Sequence, residues 1–141
     1  MSIRQISVFV ENKQGRLAEI TEILAGAGIN LRAVSIADTS DFGILRLIVD
    51  KPDAAEKALK DAGLTMSVTP VLALSLDDTP GSFAGAVRIL ADNDISIEYM
   101  YAFNTGLDGK ASIIVRVNDN EQAVKALEGS TISIIAEKDI V

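Results

Sequence analysis

Residues 10–34 read VENKQGRLAEITEILAGAGINLRAV, and residues 76–100 read LDDTPGSFAGAVRILADNDISIEYM. Set against each other at an offset of 66, the two stretches carry the same punctuation. Asn12, Gly15, Leu17 and Ala18 fall on Asp78, Gly81, Phe83 and Ala84; Leu24, Ala25, Ile29 and Leu31 fall on Leu90, Ala91, Ile95 and Ile97. Each stretch reads as the end of a strand, a turn containing glycine, and a helix. One apolar stripe of the helix carries Leu17, Ile20, Leu24 and Ala27, the other Phe83, Val87 and Leu90. Gly28-Ile29-Asn30 and Asp94-Ile95-Ser96 then end the helices and launch new strands. A match at a fixed offset predicts one structural unit used twice.

The repeat extends in both directions. Ile6, Val8 and Val10 alternate with other positions upstream, as do Leu72, Leu74 and Leu76, giving one buried strand face each. Downstream the offset becomes 68, so that Val49, Asp50, Lys57, Ala58 and Leu59 meet Val117, Asn118, Lys125, Ala126 and Leu127. The added residues lie between Asn104 and Ala111, where Gly106 and Gly109 mark a turn. Third strands bury Leu45, Leu47 and Val49, then Ile113, Val115 and Val117. Asp50 near Pro52, and Asn118, read as N-terminal signals of second helices. Last strands follow near 65–69 and 131–136. The order βαββαβ in each half predicts an α+β fold of two tandem ferredoxin-like units, residues 1–69 and 70–141, with antiparallel sheets and the helices on one face. Only Thr69 and Pro70 separate the last strand of one unit from the first strand of the next. So little slack predicts sheets side by side, joined into eight strands.

Composition removes several function classes. The 141 residues include no histidine and no cysteine. The usual general base near neutral pH, the usual transition-metal ligands and the thiolate nucleophile are therefore missing, and the expectation is a non-enzyme without metal or cofactor. A net charge of −7 lacks the electrostatic footprint of a nucleic-acid binder. No apolar run reaches the roughly 18 residues of a membrane span. The start turns polar at once (Ser2, Arg4, Gln5) and does not read as a signal peptide, so the expected location is the cytoplasm.

Here the sequence resembles the ACT domain family. The Asn/Asp-x-x-Gly-x-Leu/Phe-Ala turns at 12–18 and 78–84 carry the resemblance, together with the Gly-Ile-Asn that opens a second strand. The second copy has the family's proline before the glycine (Pro80-Gly81), whereas the first has Gln14. The stretches ADTSDFGILRLIV (37–49) and IEYMYAF (97–103) are similar to those of small stand-alone tandem-ACT proteins of prokaryotes. The resemblance implies a regulatory protein that binds a small effector, most often an amino acid, at an interface between ACT units. The βα turn and the second strand would supply the contacts. A metabolic enzyme of amino-acid metabolism is the implied partner. The other reading is an interaction module that keeps the paired fold without a ligand.

The residues themselves allow both readings. Gly15 and Gly81 at helix N-termini suit a carboxylate, and as glycines they let a ligand approach the backbone; the same turns also serve as plain helix caps. Asn12, Asp78 and Asp38 offer oxygens to an ammonium group. Thr39 and Ser40 share the first hairpin with Asp38, and Leu17 and Phe83 open the helices. Alternation sends Met100 and Ala102, like Val34 and Ile36, to the helix-packed face, and Tyr99, Tyr101 and Phe103 to the open one, opposite in kind to Ala33, Ser35 and Ala37 in the first copy. The expected ligand is an apolar or aromatic free amino acid lying against Phe42, Tyr99 or Tyr101, with unequal occupancy of the two copies. Ile44, Arg46 and Ile48, and Ser112, Ile114 and Arg116, fall on the same open faces. Apolar residues there predict cover by a second chain, hence a homodimer, with the arginines ion-paired across an interface.

Overall fold

The computed structural model of the chain describes residues 2–38, 41–103 and 109–140. It divides into two units, Arg4–Thr69 and Pro70–Ile140, with Ser2 and Ile3 grouped with the second.

The first unit begins with β1 (Ile3–Glu11), whose even positions Ile6, Val8 and Val10 face inward. Helix α1 (Arg16–Gly26) follows a turn in which Gly15 has φ 84°. It ends on Gly28, φ 73°, with the Ile29 N–H donating to the Leu24 carbonyl at 3.0 Å. This is the left-handed stop that glycine takes without strain. Strands β2 (Leu31–Asp38) and β3 (Phe42–Val49) form an antiparallel hairpin, and β3 also pairs with β1. Helix α2 (Pro52–Asp61) returns the chain to β4 (Met66–Asp77), which lies on the other side of β1. Leu45, Leu47 and Val49 of β3 meet Ile20 and Leu24 of α1 and Ala55 and Leu59 of α2 in one core. Each fully buried aliphatic side chain there contributes about 1.5–3 kcal/mol.

The second unit repeats the plan. The later part of β4 serves as its first strand and is followed by α3 (Ser82–Asp92), β5 (Ile97–Phe103), β6 (Lys110–Val117), α4 (Asn120–Leu127) and a short β7 (Ser133–Ile135). Here β4 lies between β6 and β7, with β5 outside β6. Leu72, Leu74 and Leu76 pack with Leu90, Ile113, Val115, Ala123 and Leu127 in a second core. The insertion expected between Asn104 and Ala111 falls largely outside the described residues.

Three expectations change in detail. Seven strands occur among the described residues, because the last strand of the first unit and the first of the second are a single element, β4. Asp50 and Asn118 do not cap helices. Asp50 Oδ1 accepts from the Asn30 N–H at 2.8 Å, and Asn118 Oδ1 from the Ser96 N–H at 3.0 Å, so each clasps the entry of a second strand to the exit of a third. Helix α4 is capped instead by Asp119, which accepts from the Gln122 N–H.

The third change concerns the sheet faces. Register places Val34 opposite Leu47 and Ile36 opposite Leu45, on the helix side as expected, yet they are 53% and 52% exposed, and Met100 is 36% exposed. The reason is position: β2 and β5 are edge strands, beyond the cover the helices give. Conversely, Ile48 and Ile114 on the opposite faces are buried within one chain. They need no second copy to cover them, and that ground for a dimer is lost. Arg116 is held inside its own unit, by Glu98 at 3.2 Å and the Pro70 carbonyl at 2.9 Å, rather than across an interface.

The two helix stops differ in one respect. Where the first unit has Gly28, the second has Asp94 at φ 58°, with the same bond from Ile95 N–H to the Leu90 carbonyl at 2.9 Å. A left-handed residue with a Cβ is strained, and part of what glycine relieves is offset by its freer unfolded chain. Asp94→Gly should therefore stabilise the second unit by about 0.5–1 kcal/mol in urea unfolding. A loss of stability would mean that the aspartate side chain contributes more than its backbone costs.

Candidate functional site

The first unit gathers three connections at the end where β1 stops. The Asn12 N–H donates to the Asp41 carbonyl at 3.3 Å, tying the β1–α1 turn to the β2–β3 hairpin. Glu11 stands opposite Phe42 in register. The Phe9 N–H donates to the Thr65 carbonyl at 3.0 Å, which brings in the connection between α2 and β4. Gly15 caps α1 in a left-handed conformation with no side-chain cap bond. The N–H groups of Leu17 and Ala18 thus sit in a first turn where helix geometry offers no internal acceptor, at the positive end of the helix dipole.

A cleft opens at this end, lined by Phe9, Glu11, Arg16, Phe42 and residues 63–65. Phe9 and Phe42 are 46% and 55% exposed. Lys13 Nζ is 3.1 Å from Glu11 Oε2, and Arg16 Nη1 is 2.9 Å from Glu19 Oε2. The Lys13 hydrogen bond and charge, with a smaller contribution from Arg16, hold the Glu11 carboxyl below its ordinary value, so it is anionic at neutral pH. Arg16 Nε is shut off from solvent and meets no acceptor.

The second unit has a cleft in the same place, between Asp77, Gly81, Ser82, Ile89, Thr131 and Ile132. Gly81 has φ 88° and again no side-chain cap. Its furnishing differs. Asp77 is engaged by Lys110 at 2.6 Å, the Asp78 N–H donates to the Gly109 carbonyl, and Ser82, in the place of Arg16, shares a hydrogen bond with Thr79 Oγ1 at 2.7 Å.

Of the residues singled out in the sequence, the structure brings Asn12, Gly15, Leu17 and Phe42 to one end of the first unit, with Asp38 opposite Gly43 in the same hairpin. Thr39 and Ser40 lie outside the described residues. Asp78, Gly81 and Phe83 gather at the matching end of the second unit. Tyr99 and Tyr101 do not join them. They pair with Arg116 and Ile114, six and four residues along β6 from Lys110 at the turn end, roughly 20 and 13 Å away at the rise of a strand. The glycines also have a plainer cause than ligand approach: a Cβ at Gly15 or Gly81 would meet nothing within 4 Å, and it is the positive φ that calls for glycine. Phe9, Glu11 and Arg16 were not singled out. The signal for them is that Phe9 and Arg16 each stand where the second copy has serine, Ser75 and Ser82.

Two units of this order, each with a left-handed glycine turn between its first strand and first helix, match the family described as ACT domain pair over residues 1–141. The chain belongs to the ACT domain family. As an ACT pair it is similar to solved structures. Protein BT0572 from Bacteroides thetaiotaomicron is 39% identical, with a TM-score of 0.93 over 99% of this chain and 96% of that one. The regulatory subunits of aspartate kinase from Thermus thermophilus and Thermus flavus are 20% and 21% identical, with TM-scores of 0.64 and 0.62, each over 88% of this chain and 89% of the other. At that identity the likeness is one of fold. Comparison with curated proteins finds no match. No helix among the described residues is long and apolar enough to cross a membrane.

Proposed function

We propose that this ACT pair is a non-catalytic regulatory protein that binds a free amino acid at an interface between ACT units and passes the binding on to an enzyme of amino-acid metabolism. One observation carries the reading: each copy has an uncapped left-handed glycine turn whose helix start exposes an apolar side chain, and an edge strand that exposes an apolar rim. The helix starts expose Leu17 and Phe83; the rim is Val34 and Ile36 on the edge strand of the first unit and Met100 on that of the second. Free amides at a helix N-terminus suit a carboxylate, and the rim suits an apolar side chain together with a second protein surface. The regulatory subunits of similar fold support the same reading.

The rim is also the surface through which a homodimer forms. An edge strand carries unpaired N–H and C=O groups, and isolated apolar residues at half exposure on such a strand are covered most simply by another copy. A ligand bridging units then favours one arrangement of them over another, which is how binding becomes regulation.

Two measurements test this. In a thermal-shift screen of the twenty amino acids, at least one apolar or aromatic member should raise the melting point. At 100 times the dissociation constant the added stability is about 2.7 kcal/mol. No shift with any of them would leave the interaction-module reading ahead. In sedimentation the protein should run as a dimer and Ile36→Lys as a monomer; a monomeric parent would remove the rim as a pairing surface.

A further inference from the structure

In the first unit's cleft, Phe9, Glu11 and Phe42 lie on the sheet face opposite Val8 and Val10, whereas Val34 and Ile36 of the rim lie on the helix side, and two of its residues differ in kind from their counterparts. Phe9 stands opposite Ile44 and Glu11 opposite Phe42, so the two phenylalanines share a sheet face and are diagonal neighbours across the β1–β3 pair. Both rings are about half in water, although each would gain from burial. Beside them are one cation with an unmet donor, Arg16, and one carboxylate that stays ionised, Glu11. The second copy replaces Phe9 by Ser75 and Arg16 by Ser82, while its acid, Asp77, is paired with Lys110 much as Glu11 is with Lys13.

We infer that this cleft is a binding site for one α-amino acid with an aromatic or branched apolar side chain, held within the first unit alone. The ligand carboxylate meets the Nη side of the Arg16 guanidinium, since Nε is shut off from solvent, and Nη1 can keep Glu19. The ammonium group meets Glu11, displacing Lys13 from an exposed ion pair of small worth. The side chain lies against Phe9 and Phe42, removing apolar surface of both partners from water. The matching cleft, with serines in place of the arginine and the phenylalanine, takes no such ligand, so the stoichiometry of this site is one per chain. The assignment rests on the amino-acid reading above but not on pairing of units.

Calorimetry with L-phenylalanine and L-leucine tests it, with 3-phenylpropanoate as the analogue lacking the ammonium group. One phenylalanine or leucine per chain should bind at this cleft, in addition to any bound at an interface between units. Arg16→Gln and Phe9→Ala should each weaken binding about tenfold or more, Arg16→Lys less than Arg16→Gln, and Arg88→Gln not at all. The altered side chains are largely at the surface, and melting curves of the unliganded variants that overlay the parent's show that they fold. 3-Phenylpropanoate should bind more weakly than phenylalanine; equal affinity would overturn the amino-acid class. Parental affinity in both Arg16→Gln and Phe9→Ala would overturn this site and leave the regulatory reading standing. Absence of heat with either amino acid would overturn the site, and only failure of the full screen of twenty would overturn the regulatory reading with it.

Discussion

The left-handed glycine between the first strand and the first helix is the constraint on which the rest depends. At φ 84° and 88°, Gly15 and Gly81 turn the chain from the sheet onto its face within a few residues. A residue with a Cβ would pay strain there. Because the cap residue has no side chain, the first amides of α1 and α3 are not satisfied by a cap hydrogen bond. A Ser, Asp or Asn in that role would have closed them. The fold thus produces, twice, a helix N-terminus that is conformationally fixed and electrostatically open. The hairpin is held against the same end by the Asn12 and Asp78 backbone bonds. Besides the edge strands, these two ends are where open backbone donors stand.

Duplication supplies two such ends, and divergence has furnished them differently. Around the first stand Arg16 and Glu11, paired with Glu19 and Lys13, together with Phe9 and Phe42; around the second stand a lysine–aspartate pair and a serine–threonine bond, with no aromatic ring in the cleft lining. Elements that carry the fold have stayed alike. The Asp50 and Asn118 clasps, the Schellman-type stops after α1 and α3 and the alternating core strands recur in both copies. Core positions change only among apolar types, as in Leu45 to Ile113 and Leu47 to Val115, whereas the clefts change in chemical kind. That is the pattern of a scaffold kept for geometry and a surface altered for recognition.

The fold was legible because periodicity reports burial directly. The core strand positions of β1, β3, β4 and β6, the buried Ile20, Leu24 and Leu90 of α1 and α3 and both glycine turns follow from spacing, whereas Leu17, Ala27 and Phe83, expected on the same stripes, are exposed. What escaped did so for physical reasons. Asp50 and Asn118 have the composition of helix caps, but a carboxylate or amide oxygen binds whichever N–H the fold brings near, and here that amide belongs to a residue some twenty positions earlier. The fusion of two expected strands into β4 was hidden by Pro70, which normally punctuates a strand. Its missing N–H is tolerated, and its carbonyl accepts from Arg116 and Asn120. Val34, Ile36 and Met100 were placed on the right side of the sheet, but alternation says nothing about how far the helices extend over it. Phe9 sits in the run Val8-Phe9-Val10, where apolar residues on both faces erase the alternation that would have marked it as exposed.

The most direct test of the account is a backbone-amide NMR titration with an amino acid that the thermal screen selects. The account places the ligand carboxylate at the uncapped start of a helix, so the Leu17 and Ala18 resonances, or those of Phe83 and Ala84, should shift in step with saturation. Shifts confined to other parts of the chain, with both helix starts unmoved at saturation, would contradict it.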